Sequence, residues 1–220
     1  MSVGSAAPPG SPTEVRFPVK LASSVDRRPL TFREIVITAA VSAACGVLYV
    51  LWGPVYYAAR AIHPAGGEVV YGVWFIASIV AGYIVQKPGV ALAAEIASAS
   101  GELLLGSAFG LTVLVYGIAQ GLGAEAVLAL FRYRRYGLPV LMLAGAAAGA
   151  GSLLMDLYYG QFKDLAAGAL ALTVAVRLLS GALLAGLLGK VIVDSLVATG
   201  VLNAYAVARR GRGSHDGSVA

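Results

Sequence analysis

Leu138–Tyr158 reads LPVLMLAGAAAGAGSLLMDLY, an apolar run whose single charge, Asp156, comes near its end. A helix needs about 20 apolar residues to cross a hydrocarbon core of roughly 30 Å, with about 17 as the lower bound. This run meets that length. So do residues 35–51, 69–85, 89–105, 111–131 and 165–188, most of them joined by short polar turns. In lipid every backbone donor and acceptor must be satisfied internally, and apolar runs of this length do so as helices. The sequence therefore predicts an all-α integral membrane protein with six transmembrane helices.

Composition agrees: 59% of the 220 residues are hydrophobic and 12% charged, against about 45–50% and about 25% in soluble domains. Six spans leave no room for a second folded domain. The expected organisation is a membrane unit over 31–208 with disordered tails over 1–30 and 209–220. The first tail, with Ala6-Ala7-Pro8-Pro9-Gly10-Ser11-Pro12, lacks the apolar stretch of a cleaved signal. The single Cys45 excludes an intrachain disulfide.

The net charge of +5 is placed unevenly. Arg16, Lys20, Arg27, Arg28 and Arg33 precede the first run, Lys87 lies between the second and third, and Arg132, Arg134 and Arg135 follow the fourth. Lys190, Arg209, Arg210 and Arg212 follow the sixth, whereas the opposite connections hold only Arg60 and Lys163. This bias places both termini in the cytoplasm, and argues against a nucleic-acid partner.

Polar residues inside the runs carry the chemistry. An ionisable group at the membrane centre costs at least about 2.5–3.5 kcal/mol, so it should face a partner charge, water or the bundle interior. With a rise of about 1.5 Å per residue, Glu95, Glu125 and Arg177 fall near or just inside the midplane. They are expected to form a structural ion-pair cluster, because Arg satisfies carboxylates bidentately. Glu102, Tyr116 and Gln120 fall in the outer half with Tyr71, Trp74 and Phe75, while Asp156 and Tyr158 lie at the rim. Glu95 and Glu102, seven apart, share a helix face. The expected substrate-binding set is Tyr71, Trp74, Glu95, Glu102, Tyr116 and Gln120. Aromatic faces attract flat cations, and carboxylate or amide oxygens accept hydrogen bonds from exocyclic nitrogens, so the ligand class is small, flat and cationic or amine-bearing. For Tyr71 and Trp74 singly, an interfacial aromatic belt is the alternative.

Other segments have plainer readings. Thr31 and Glu34 match a capping box ahead of the first run. Within that run Ala39/Ala43 and Ala40/Ala44 place small residues four apart, suiting close helix approach, either inside the bundle or to a partner subunit. Gly117/Gly121 and Gly145/Gly149 suit tight packing within the bundle. The connection 53–68, with Pro54, Tyr56, Tyr57, His63 and Pro64, is expected to be an outer loop able to fold over a pocket; His63 reads as a surface histidine. Residues 191–208 are expected to extend the sixth helix and then lie at the interface. Val191 stands where a phosphate-binding loop needs a hydroxyl, and Leu184 where it needs its first glycine. Neither histidine is in a span and no His/Cys cluster suggests a metal, so no cofactor, metal or catalytic residue is expected.

Several segments carry a resemblance: Tyr71-Gly72-Val73-Trp74-Phe75-Ile76, Lys87-Pro88-Gly89, Gln120-Gly121-Leu122-Gly123-Ala124-Glu125-Ala126, Leu138-Pro139-Val140-Leu141-Met142-Leu143-Ala144-Gly145 and Arg177-Leu178-Leu179-Ser180-Gly181-Ala182-Leu183-Leu184-Ala185-Gly186. Asp194-Ser195-Leu196 and Thr199-Gly200-Val201-Leu202-Asn203 extend it. From Glu34 to Asn203 the chain resembles the substrate-binding S-components of energy-coupling factor (ECF) vitamin importers, and within them the YkoE family, assigned to thiamine and its hydroxymethylpyrimidine precursor. The resemblance implies an S-component-like six-helix bundle in a prokaryotic cell membrane, an outward pocket and a gating first loop. It also implies assembly with a transmembrane T-component and two cytoplasmic ATPase domains, with Ala39, Ala40, Ala43 and Ala44 as the docking strip. A stand-alone proton-coupled secondary transporter of a small cationic or amine-bearing solute is the alternative from another class.

Overall fold

A computed structural model describes residues 29–63 and 65–209. Its helices are α1 (Phe32–Ile62), α2 (Gly66–Val85), α3 (Val90–Leu104), α4 (Thr112–Leu130), α5 (Leu138–Tyr158) and α6 (Ala167–Ala198), and no strand occurs among the described residues. Both expected disordered tails lie almost wholly outside those residues, as do Arg16, Lys20, Arg27, Arg28, Pro64, Arg210 and Arg212. Five helices are long and apolar enough to cross a membrane; α3 is not among them. Its 15 residues reach only about 22 Å. Its buried face carries Ala91, Ala94, Glu95, Ser98 and Glu102 and packs among α1, α2 and α4.

Local chemistry explains where the helices begin and meet. Thr31 caps α1: its hydroxyl accepts the Glu34 N–H at 3.4 Å, and the Glu34 carboxylate accepts the Thr31 N–H at 2.7 Å. Glu34 also pairs with Lys87 at 2.8 Å, tying the start of α1 to the α2–α3 turn. Gln86 ends α2 in the left-handed region, with φ 58°. Between α5 and α6 the backbones nearly touch, since a Cβ on Gly145 would collide with the Gly181 carbonyl. There α6 widens into a π-helical stretch, Gly181–Leu187. Gly123 and Gly151 allow the same approach between α4 and α5. Glycine lets two backbones come together, which is the main packing currency in lipid.

Two expectations need correction. The connection 53–68 is mostly helix: α1 runs through Pro54 to Ile62, and only residues 63–65 join it to α2. Proline removes one ladder bond and bends a helix without necessarily ending it. Beyond it Tyr56 is buried among other rings, which gives the extra turns something to pack on. Residues 191–208 do extend α6, to Ala198, but the interfacial helix shrinks to one turn at 206–209. Leu202, Val207 and Ala208 are buried against the bundle there, not laid along its surface.

Candidate functional site

One end of the bundle gathers rings around a break in α2. Residues Tyr71–Phe75 form a 3-10 turn between two α segments. That tighter winding brings Tyr71 and Trp74 to 5.3 Å between centroids. Tyr56 from α1 packs edge-on against both, at 5.8 and 5.5 Å. Phe109, from the α3–α4 connection, meets Trp74 at 5.8 Å and stacks on Tyr57 at 5.7 Å. Gly106 and Gly110, with φ 96° and 63°, bracket the short segment that carries Phe109.

Polar groups lie against these rings. Glu102 is buried and accepts the Ser107 hydroxyl at 2.9 Å. The Trp74 indole N–H is near enough to interact with that carboxylate, yet it is buried without a hydrogen bond of full geometry. Buried donors are nearly always satisfied, so an orphan here has an unmet capacity to bond. Gln120 is also buried. Tyr116 donates to Asp156 at 2.6 Å.

Arg177 does not pair with Glu95 or Glu125, so the expected ion-pair cluster is not formed. Its guanidinium grips Glu68, with Nη2 donating to Oε1 at 2.8 Å and Nε to Oε2, while Nη1 reaches Asp156. Depth counted at the Cα misled here. Side chains lean towards the N-terminus of their helix, and a long Arg on α6 reaches back to the end of the bundle where Glu68 opens α2 and Asp156 nears the end of α5. Asp156, two residues from the end of α5, is a buried partner of that guanidinium. Glu68, overlooked because it stands just ahead of an apolar run, was detectable as a carboxylate three residues before Tyr71.

The two remaining acids serve backbone. Glu125 accepts amides at the start of α3, from Gly89 at 2.6 Å, Ala91 at 3.1 Å and Leu92 at 3.2 Å. Helix N-termini favour such negative charge. Tyr133 donates to the same carboxylate at 2.7 Å; burial and this bond hold its phenol proton well above its usual range. Glu95 is fully buried, with one oxygen bonded by Tyr49 and the other by the Ser78 amide. Both oxygens are thus engaged away from the ring cluster.

Comparison with known proteins matches this architecture. Residues 33–151 fit a family model described as the permease component of an ABC-type cobalt transport system. YkoE of Bacillus subtilis (strain 168), named as an HMP/thiamine permease protein, is 46% identical over 180 residues, covering 80% of this chain and 89% of that one. A crystal structure of an S-component of an ECF transporter superposes with a TM-score of 0.82 at 42% identity, covering 86% of this chain and 97% of that chain. The chain belongs to the YkoE family of ECF-transporter S-components.

This S-component is a multi-pass plasma-membrane protein of a prokaryote and the substrate-binding subunit of an ECF importer. Ala39, Ala40, Ala43 and Ala44 all lie exposed on α1, while the opposite face of that helix, with Ser42, Cys45, Gly46 and Tyr49, is buried. The strip is therefore not consumed by packing within the S-component itself. His63 is exposed, its Nδ1 accepting the Ala65 N–H at 3.0 Å, as a surface histidine would.

Proposed function

We propose that the chain captures thiamine or its hydroxymethylpyrimidine precursor from the outer face and delivers it to an ATP-driven complex. Trp74 and Tyr71 stack on the ligand rings, while Glu102 and Gln120 bond the exocyclic amine of the aminopyrimidine. Tyr116, held by Asp156, forms one wall. The observation that carries this reading is the buried Trp74 indole N–H, set beside the Glu102 carboxylate in a cluster of rings without a hydrogen bond of full geometry. A flat heterocycle with acceptor nitrogens and an amine offers a ring face for Trp74, an acceptor for its N–H and a further donor for the Glu102 carboxylate.

The chain itself is non-catalytic in this reading. Both termini face the cytoplasm, on the side where Arg33, Lys87, Arg132 and Arg135 gather at the helix ends. The exposed alanines of α1 dock a transmembrane T-component, which couples the chain to two cytoplasmic ATPase domains. Small side chains at that spacing allow the close contact such docking needs.

Calorimetric titration of the purified chain with thiamine and with hydroxymethylpyrimidine is the test. Binding that is lost in Glu102→Ala and Trp74→Ala supports the assignment; unchanged affinity in both removes it. Uptake into proteoliposomes should require added T-component and ATPase subunits. Uptake by this chain alone, driven by a pH gradient, would replace the reading with a secondary carrier.

A further inference from the structure

Where α2 changes helix type, its released backbone donors turn to other helices. In a continuous α-helix the amides of Ala77 and Ser78 would bond the carbonyls four residues back, those of Val73 and Trp74. Instead the Ala77 N–H donates to the Tyr49 hydroxyl of α1 at 3.2 Å, and the Ser78 N–H donates to Glu95 Oε2 of α3 at 3.0 Å. Tyr49 completes the arrangement by donating to Glu95 Oε1 at 3.0 Å. The Ser78 hydroxyl donates back to the Phe75 carbonyl at 2.7 Å.

The outer edge of the same turn is held from a third helix. The Gly72 N–H donates to the Ser180 hydroxyl of α6 at 2.9 Å, and that hydroxyl donates to the Val69 carbonyl at 2.7 Å. Tyr71–Phe75 is thus secured at both edges by side chains of α1, α3 and α6. These are the residues whose rings form the candidate site.

Glu95 is 0% exposed, and no cation pairs with it among the described residues. An acid without a counter-cation is an expensive occupant of a membrane helix. Its Oε2 caps the Ser78 amide at the start of the inner half of α2, and its Oε1 holds Tyr49, whose hydroxyl caps the Ala77 amide. An acidic side chain near a helix N-terminus normally does this from within its own chain segment. Here it comes across from a neighbouring helix.

We propose that Glu95, together with Tyr49, is a positioning residue for the substrate site. It sets the register of the 3-10 turn that aims Tyr71 and Trp74, without touching the ligand. This inference builds on the proposed function, and its test reads the turn separately from the binding.

The full chain, labelled with fluorotryptophan and held in nanodiscs, has two indoles, Trp52 and Trp74, and fluorine NMR resolves them. In Glu95→Leu and Tyr49→Phe the Trp74 resonance moves and thiamine affinity falls about ten-fold or more, as an unsatisfied buried amide would dictate. Glu95→Gln keeps an acceptor oxygen for Ser78 and stays within about three-fold of the parent. Should Glu95→Leu fail to fold, Tyr49→Phe carries the test, because it keeps the ring and removes only the hydroxyl.

An unmoved Trp74 resonance with parental thiamine affinity in Tyr49→Phe or a folded Glu95→Leu overturns the proposal. So does a Glu95→Gln protein that loses affinity as fully as Glu95→Leu while Trp74 stays put, since that is the behaviour of a direct ligand contact. If thiamine binds no form of the protein but the Trp74 resonance still moves, the substrate reading fails and the positioning role stands.

Discussion

The Arg177 guanidinium lies 4.0 Å over the Tyr71 ring while two carboxylates hold its edge. One side chain of α6 thereby joins the ring cluster of α2 to Glu68 at the head of α2 and to Asp156 of α5. Tyr116 of α4 extends the network through Asp156. Four helices therefore meet through one buried cation, and the rings of the candidate site rest on it.

Removing one partner of a buried pair leaves an uncompensated charge, which costs about 3–5 kcal/mol. Arg177→Met should destabilise the bundle by that order, because it strands both Glu68 and Asp156. Thermal unfolding in detergent measures the loss. A melting point unchanged from the parent would show that the network carries little of the stability.

Stacking on an aromatic face contributes about 1–3 kcal/mol per heterocyclic base. Trp74→Ala should accordingly weaken thiamine binding by about ten-fold to a hundred-fold, with Trp74→Phe falling between the two. Titration calorimetry on the three proteins checks the order.

The exposed alanine strip of α1 makes a different prediction. Ala43→Trp should leave thiamine binding near the parental value and abolish copurification with the T-component, because bulk on this face blocks helix approach without entering the bundle. Loss of binding together with assembly would place Ala43 inside the folded core and contradict its exposure.

Where α5 and α6 touch, a side chain has no room. Gly145→Leu should destabilise by more than the usual overpacking cost of about 1–3 kcal/mol, because its neighbour is the Gly181 backbone and cannot turn aside. A fluorescence-detected melt of the variant reads the effect.

The membrane character of the chain was legible in Leu138–Tyr158 and its counterparts, since apolar length alone separates a span from a soluble helix. The capping box at Thr31 and Glu34 was legible too, as a local pattern of four residues. The ring cluster was legible in part: Tyr71 and Trp74 stood out by spacing and depth, and Tyr56 as an aromatic of a segment expected to fold over a pocket, but Phe109 did not. Tyr56 belongs to a helical extension of α1, not a loop, and Phe109 to a connection whose path depends on Gly106 and Gly110. The partners of Arg177 were misjudged, because counting along a helix locates a Cα and not the tip of a long side chain.

Apolar periodicity, run length and charge bias act within a few residues of one another, so the linear order of the chain already specified an all-helical membrane bundle and its basic end. Which acid met which donor depended on how α1, α3, α5 and α6 came to lie against one another. Glu68 and Arg177 are more than a hundred residues apart, and a hydrogen bond is decided by tenths of an ångström that no spacing rule supplies. The same holds for Glu95, whose partners on α1 and α2 exist only once three helices have packed.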